Sequence, residues 1–300
     1  MVRTKRAIVG IVIGFVAGLY PLLNKAVIGA TQAQTKTAAS VDFCADQYLL
    51  ALAPAATIVG LSPDARSAYS SVRGQATTHN LYNPRTEILL SLKPKIVVRQ
   101  WGGAPRLAQA LTAHGIDVVQ LGYVTDFDGI YANLRQVGEA IDAPEKAEVL
   151  IRTITAVQAK APDSGVLSGQ KPSALYVTPG GVTAGRGTLI DAIFSAAGLT
   201  NRAATNGATG WVPLSVEALI LDPPDLLVTG FFDGPLNKAN AWSPARHPVF
   251  EKLFARVPTV TLRVDQISCA GPASIEAVNA LRRAIATMRA TGRLTKAGQP

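Results

Sequence analysis

Short apolar runs and amphipathic segments alternate along residues 41–124. Three runs have the length and the Val/Ile content of buried strands: TIVGLS (57–62), KIVVRQ (95–100) and IDVVQLG (116–122). Around them, apolar residues recur at helical spacing in CADQYLLALAPA (44–55) and RLAQALTAHG (106–115). Repeated alternation of strand and helix predicts an α/β lobe built on a parallel sheet.

This rhythm breaks over residues 126–161, where apolar residues keep helical spacing and no strand pattern intervenes. Pro144 lies inside this segment and predicts a cap, a kink or a short break there. A second strand–helix series occupies residues 170–290. The sequence therefore predicts an α/β protein with two Rossmann-like lobes, 41–124 and 170–290, joined by one long helix at 126–161. The cleft between two such lobes is the natural place for a ligand.

Residues 1–33 have the pattern of an export signal. A basic start, MVRTKR, is followed by the apolar run AIVGIVIGFVAGLYPLL and then by small residues, with cleavage sites after Ala30 or Ala33. An uncleaved membrane anchor is the alternative interpretation. We expect export to the periplasm, with residues 34–40 forming a loose linker behind the signal.

Composition narrows the class of protein. Hydrophobic residues make up 48% of the chain and charged residues 16%, which is typical of a folded globular protein. The formal net charge is +9, and residues 1–33 hold four basic residues and no acid, so the remainder carries +5. That remainder is spread thinly, without basic clusters interleaved with aromatic residues, and we therefore expect no binding of nucleic acid.

The chain has two cysteines, Cys44 and Cys269. An even pair in an oxidising compartment is most simply a disulfide, although sequence alone does not show that the two residues meet. Two free thiols that face a ligand are the alternative. These two residues and three scattered histidines supply too few ligands for an obvious metal site, so none is expected.

Four stretches together resemble the solute-binding proteins of ABC importers that carry cobalamin and ferric siderophores, the cobalamin binders above all. They are RTEILLSLKPKIVVRQWGGAPRLAQALTAHGIDVVQL, GRGTLIDAIFSAAGLTN, WVPLSVEALILDPPDLLVTG and HPVFEKLFARVPTVTL. The resemblance covers about residues 42–288. It implies a class III periplasmic binding protein: a rigid, two-lobed monomer that holds its ligand between the lobes and delivers it to an ABC permease and its ATPase.

The resemblance also implies roles for particular residues. The stretch Arg99-Gln100-Trp101-Gly102-Gly103 matches a Trp-Arg-Gly-Gly motif of the cobalamin binders in a shifted order. Family members dock on the permease through an acidic residue on each lobe; the first-lobe position holds Arg106 here, and Glu251 lies near the second-lobe position. Cys44 and Cys269 would lie near the cleft, where a disulfide would join the lobes.

A large, amphipathic, oxygen-rich ligand needs aromatic planes for its apolar face and cations or amide donors for its rim. Such residues are expected where strands end or where a glycine-rich loop opens a helix. The candidates for ligand binding are Tyr82, Arg99, Gln100, Trp101, Arg186, Trp211, Phe231 and Phe232.

An enzyme is not expected, because the chain has no Gly-x-Ser-x-Gly elbow, no His-x-x-x-His pair and no paired-carboxylate motif. No cofactor is expected either. The sequence predicts the periplasmic binding component of an ABC importer for a ferric siderophore or a cobalamin-type metal chelate. The alternatives are a binder of another bulky solute such as haem, or a membrane-anchored receptor or interaction domain.

Overall fold

The computed structural model describes residues 36–100, 105–160, 171–215, 219, 222–232 and 254–294. All of them belong to the compact unit Gln34–Pro300. The predicted signal, 1–33, lies outside the described residues. Within the described part of the chain, no helix combines the length and the hydropathy needed to cross a membrane.

The first lobe contains a four-stranded parallel sheet with the strand order β2-β1-β3-β4. Its strands are β1 (Ala38–Ser40), β2 (Ile58–Gly60), β3 (Ile96–Arg99) and β4 (Asp117–Gln120). Its helices are α1 (Phe43–Leu52), α2 (Thr86–Leu92) and α3 (Pro105–Ala113). The predicted fold class and the three predicted strands of this lobe are confirmed.

The prediction that residues 34–40 form a loose linker is wrong for residues 38–40, which form the strand β1. This strand is fully buried and lies between β2 and β3, pairing with both. Its three residues, Ala38, Ala39 and Ser40, are small and are too few to show an apolar pattern. The first lobe therefore begins before residue 41, with a strand whose place is fixed by its neighbours and not by its own propensity.

Asp46 on α1 links the ends of β1 and β2. It is fully buried, and its Oδ1 accepts hydrogen bonds from the Ser40 hydroxyl and, at 3.1 Å, from the Ser62 N–H. Its Oδ2 accepts from the Ser62 hydroxyl at 2.6 Å. Burial raises the pKa of Asp46 to about 6, although these hydrogen bonds act in the opposite direction. The first lobe thus contains a carboxyl group that is costly to ionise.

The prediction of one long helix over residues 126–161 is wrong, whereas the break predicted at Pro144 is confirmed. The segment forms two helices, α4 (Phe127–Ala140) and α5 (Pro144–Ala159), with Asp142 in a left-handed conformation (φ 59°) between them. The two helices run antiparallel: Arg135 Nε lies 2.6 Å from Glu148 Oε1, which is 13 residues away. Pro144 stands at the first position of a new helix, where its missing N–H costs nothing. The segment is therefore a helical hairpin.

This helical hairpin connects the two lobes. Its first helix, α4, packs on α1 and β4 of the first lobe. Its second helix, α5, packs on two helices of the second lobe, Leu189–Ala197 and Ser274–Ala290. The two helices of the hairpin approach closely at Gly138, where an added Cβ would come within 2.8 Å of the Ala147 Cβ. The hairpin thus gives one helix to each lobe.

The second lobe contains a parallel sheet with the order β10-β9-β5-β7 and an antiparallel pair, β6 and β8. Its strands are β5 (Ser173–Val177), β6 (Val182–Ala184), β7 (Thr200–Asn201), β8 (Trp211–Pro213), β9 (Leu226–Thr229) and β10 (Thr259–Thr261). Its helices are α6 (Leu189–Ala197), α7 (Arg202–Thr205), α8 (Val264–Ile267) and α9 (Ser274–Ala290). The helical hairpin packs on α6 and α9 through α5.

Arg282 on α9 binds the C-terminal ends of two helices. Its guanidinium donates to the carbonyl oxygens of Val157 at 2.6 Å and Gln158 at 3.0 Å in the last turn of α5. It also donates to the carbonyl oxygen of Ala196, at 2.6 Å, in the last turn of α6. A cation at a helix C-terminus pairs with carbonyl groups that have no partner within the helix. Arg282 therefore fastens the hairpin to the second lobe.

Replacing Arg282 with Ala is expected to lower the free energy of unfolding by about 2–4 kcal/mol, because three partly buried carbonyl groups lose a charged donor. Urea unfolding of the wild type and the variant measures this change. The neighbouring exposed Arg283 provides the control, since its replacement with Ala is expected to change stability by less than about 0.5 kcal/mol. Equal effects of the two substitutions would contradict the anchoring role of Arg282.

Replacing Asp46 with Asn is expected to reduce the dependence of stability on pH. The folded protein holds the Asp46 proton more tightly than the unfolded chain, because its pKa rises from 3.8 to about 6. Stability from this group is therefore fully present below pH 4 and is lost as the pH rises through 6, by at most about 3 kcal/mol. Urea unfolding at pH values from 4 to 7 tests this, and an equal pH dependence in wild type and D46N would contradict it.

Candidate ligand-binding cavity between the lobes

A cavity of about 320 Å³ lies between the two lobes and is referred to below as the interlobe cavity. On one side of the cavity, the wall consists of residues from α1, from the segments after β3 and β4, and from α4. They are Cys44, Tyr48, Gln100, Leu121–Val124 and Asn133. The second lobe contributes residues from β5, the start of α6, β8 and the segment after α8: Tyr176, Thr188–Ile190, Ile193, Trp211 and Ile267–Ala270. The volume is at the lower end of the range for small-molecule sites.

Gln100 enters the wall of the cavity at the carboxyl end of β3, where open α/β sheets bind ligands. Its position is fixed by Asp42, whose Oδ2 accepts a 2.8 Å hydrogen bond from the Gln100 N–H. The other oxygen of Asp42 accepts from the Ala45 N–H at 2.8 Å and caps α1. Desolvation raises the pKa of Asp42, against the effect of these hydrogen bonds. One carboxyl group thus aligns the start of α1 with the end of β3.

The segment after β4 is held by Asn133 of α4. The buried Asn133 side chain accepts from the Gly122 N–H at 2.8 Å and donates to the Gly122 carbonyl at 3.2 Å. This pair of bonds fixes the backbone on one side of Tyr123, whose side chain is 59% exposed and lines the cavity. The first lobe therefore presents a solvated phenol to the cavity from a fixed backbone.

The second lobe presents Trp211, which is 49% exposed and packs edge-on against Tyr176 with ring centroids 6.0 Å apart. Nearby, Thr188 begins α6: its hydroxyl accepts from the Asp191 N–H at 3.2 Å and donates to the Gly185 carbonyl at 2.8 Å. The wall of this lobe therefore combines an exposed indole with a capped helix start.

Cys44 and Cys269 form a disulfide that joins α1 to the segment after α8, and both residues line the cavity. Their Cα atoms lie 5.4 Å apart. Beside the disulfide, the Tyr48 hydroxyl donates to the Ala270 carbonyl at 2.9 Å, which adds a second bond between the lobes. The covalent bond leaves neither sulfur available as a thiolate ligand.

Two further contacts join the lobes beside the cavity. The Ser268 hydroxyl donates to the Tyr69 carbonyl at 2.6 Å. Arg73 Nη2 lies 3.3 Å from Asp265 Oδ2, and the carboxylate side of this ion pair is buried. The segment that follows β10 is thus held against the first lobe by covalent, polar and ionic contacts.

The chemical character of the wall is aromatic, amide and aliphatic. Among the described residues, the lining contains no Asp, Glu, His, Lys or Arg side chain. Nor does the described part of the chain contain a group of His, Cys, Asp or Glu side chains placed to hold a metal ion. The wall therefore offers mainly aromatic and aliphatic contacts.

Three of the residues proposed from the sequence lie elsewhere. Arg99 is 6% exposed and lies outside the described lining, beside Asp42, whose charged form it favours. The Tyr82 hydroxyl donates to the Ser40 carbonyl at 2.8 Å, and burial raises its pKa. Arg186 is exposed, and its Nη2 lies 3.5 Å from the Ala204 carbonyl.

The remaining candidates fall into three groups. Gln100, Trp211 and the two cysteines line the interlobe cavity. Phe231 has a left-handed backbone (φ 66°), and Phe232 packs edge-on against Phe254; both lie outside the cavity's described lining. Trp101 and Glu251 lie outside the described residues.

Sequence reasoning missed Tyr48, Tyr123, Asn133 and Tyr176. Tyr123 directly follows the predicted strand at 116–122, so the rule that selected Gln100 could also have selected it. Tyr48 and Asn133 lie inside helices, where only the packing of those helices brings them to the cavity. Nothing in the local pattern distinguishes them from ordinary core residues.

Comparisons with known proteins agree with this architecture. The family described as periplasmic binding protein matches residues 39–234. The periplasmic haem-binding protein RhuT from Roseiflexus sp. RS-1, in its apo form, superposes with a TM-score of 0.61 at 24% identity, covering 83% of this chain and 97% of that one. At this level of identity the superposition shows a shared fold.

Two curated relatives share part of the sequence. The uncharacterized ABC transporter substrate-binding lipoprotein YvrC of Bacillus subtilis (strain 168) is 26% identical over 216 residues, which are 68% of this chain and 65% of that protein. A cobalamin-binding protein of Halobacterium salinarum (strain ATCC 29341 / DSM 671 / R1) is 31% identical over 150 residues, 48% of this chain and 40% of that protein. The matched region thus spans less than two thirds of each relative.

Removing the disulfide by replacing both Cys44 and Cys269 with Ser is expected to lower the free energy of unfolding by about 2–5 kcal/mol, because the bridge closes a long loop. Urea unfolding of both proteins, with and without a thiol reductant, measures the effect. The reductant is expected to lower the free energy of unfolding of the wild type and to leave that of the variant unchanged. A wild type as stable in its reduced form as in its oxidised form would contradict the prediction.

Proposed function

Because the chain belongs to the periplasmic binding protein family, we propose that it is the solute-binding component of an ABC importer and binds a metal chelate in the interlobe cavity. The observation that carries this proposal is the cavity itself, since both lobes contribute to its wall. Trp211 and Tyr123 offer exposed aromatic faces, and Gln100 brings an amide group to the same wall. These groups suit an amphipathic ligand that is larger than an ion.

The ligand class follows from what the described wall lacks. A free transition-metal ion needs several carboxylate, imidazole or thiolate donors, and the described lining supplies none of them. A metal that arrives already chelated needs only shape, aromatic contact and hydrogen bonds from the protein. A corrinoid or a ferric siderophore is therefore compatible with the chemistry of this wall, and one partial relative bears the name cobalamin-binding protein.

We infer that the protein acts outside the cytoplasm, in the periplasm, after export directed by residues 1–33. Its partners are then an ABC permease and its ATPase, which receive the ligand from a monomer that binds without catalysis. Arg106 is exposed at the start of α3 and could contact the permease, together with Glu251 of the second lobe. The basic character of Arg106 calls for an acidic surface on the permease at that contact.

Haem is a second candidate ligand, and Tyr123 favours it. A phenolate oxygen is a known axial ligand of haem iron, and the Tyr123 side chain is exposed at the cavity wall. Titration with haemin distinguishes this candidate: coordination by Tyr123 would give a shifted Soret band that the Tyr123→Phe variant loses. A wild-type spectrum equal to that of free haemin would remove haem from consideration.

Isothermal titration of the purified protein with cyanocobalamin, a ferric hydroxamate and a ferric catecholate tests the proposed function. We expect saturable binding of one class, and replacement of Trp211 with Ala should weaken it by about 1–3 kcal/mol, because an exposed aromatic anchor is lost. Val149, which is 53% exposed on α5 outside the cavity, is the control, and V149A should bind as the wild type does.

Two results would contradict the proposal. If folded protein binds none of these chelates and no haemin, the assigned function is wrong. If a chelate binds with the same affinity in W211A as in the wild type, the ligand does not use the indole, and the interlobe cavity loses its assignment as the site.

A further inference from the structure

A second cavity, of about 280 Å³, lies where α1, α5 and α9 meet. It shares none of its described lining residues with the interlobe cavity. One stripe of α5 faces it, with Leu150, Ile154 and Val157 at helical spacing, and Ile275 of α9 adds another apolar side chain. The wall is thus largely hydrocarbon and is drawn from both lobes and from the helical hairpin.

Gln47 is a buried polar residue in this largely apolar wall. Its side chain is 3% exposed, and neither the amide oxygen nor the amide nitrogen has a hydrogen-bond partner in the described part of the chain. The buried hydroxyl of Ser71, in the same wall, is also without a partner there. The large majority of buried polar side-chain atoms in native proteins are paired, with protein groups, ordered water or a bound molecule.

The position of Gln47 is confined as well as buried. An added Cβ at Gly271 would come within 2.8 Å of the Gln47 Oε1, so the amide lies against the glycine backbone of the second lobe. A leucine or methionine at this position would fill the space without an unpaired polar group. Both amide atoms of this lining residue are thus available to a hydrogen-bonding molecule in the cavity.

The chemistry of the wall selects the class of that partner. A primary amide offers an acceptor and donors side by side, and a second carboxamide or a urea group satisfies both at once. Among the described lining residues the ionisable one is Glu276, in the first turn of α9, whose negative charge disfavours a carboxylate. We propose that this cavity is a second small-molecule site, which binds a neutral carboxamide or urea with a compact apolar body through Gln47.

Such a ligand would contact the first lobe, the helical hairpin and the second lobe together. Binding to the folded protein alone raises its stability by mass action, so occupation of the site stabilises the observed arrangement of these three parts. The proposal does not depend on which chelate occupies the interlobe cavity.

Benzamide is the probe, because it joins a primary carboxamide to a compact apolar ring. Titration of isotope-labelled protein, followed by nuclear magnetic resonance, should give saturable shifts at residues 47, 71–75 and 272–276. Benzoate, which has the same shape and a negative charge, should bind roughly tenfold or more weakly. The Gln47→Leu variant, and Gln47→Met if the first folds poorly, should reduce benzamide affinity by a similar factor.

Trp211→Ala is the matched control, because it alters the interlobe cavity and leaves this wall unchanged; its benzamide affinity should equal that of the wild type. Equal affinity in wild type and Q47L would overturn the proposal. So would equal binding of benzoate and benzamide, loss of binding in W211A, or a crystal structure grown with benzamide in which ordered water alone fills the cavity.

Discussion

The segment Ile267–Ala270 of the second lobe is held against α1 of the first lobe, and the rest of the site depends on this junction. The disulfide between Cys44 and Cys269 fixes its centre, and the bond from Tyr48 to Ala270 continues the contact on the cavity side. These residues also form part of the cavity wall. The junction therefore both joins the lobes and shapes the binding surface, and a change in the junction would alter the cavity.

Inside the first lobe, two acidic residues near the start of α1 organise the carboxyl ends of the strands. Asp42 caps α1 and binds the backbone of Gln100 after β3, while Asp46 binds side chains and backbone after β1 and β2. Both carboxyl groups are largely removed from water, which raises their pKa values. The edge of the sheet that faces the ligand is thus positioned by groups that do not themselves line the cavity.

The sequence predicted those elements whose own residues show a recognisable strand or helix pattern. The apolar run that becomes β3 is buried along its whole length, and its Val/Ile content indicates a buried strand locally. The pattern of β1 does not, because three small residues become a central strand only when neighbours pair with them. Residues 126–161 have helical spacing throughout, and Pro144 predicts the break between the two helices but not that the chain reverses its direction there.

The candidate site divides in the same way. Gln100 and Trp211 were predictable, since one follows a buried strand and the other stands just before a helix expected in the second lobe. Phe232 follows a strand too, yet it packs against Phe254. Tyr48 reaches the cavity because α1 lies beside the segment after α8, a contact between residues 222 positions apart. Which strand-end side chain faces the cavity is decided by tertiary packing.

The disulfide also changes the connectivity of the molecule. Between Cys44 and Cys269 the backbone and the S–S bond form one closed covalent ring, which includes most of the first lobe, the helical hairpin and most of the second lobe. A protease that cuts one peptide bond inside this ring opens it but does not release a fragment. After a single cleavage both halves of the binding surface stay on one covalently connected molecule, a useful property for a protein exposed to extracytoplasmic proteases.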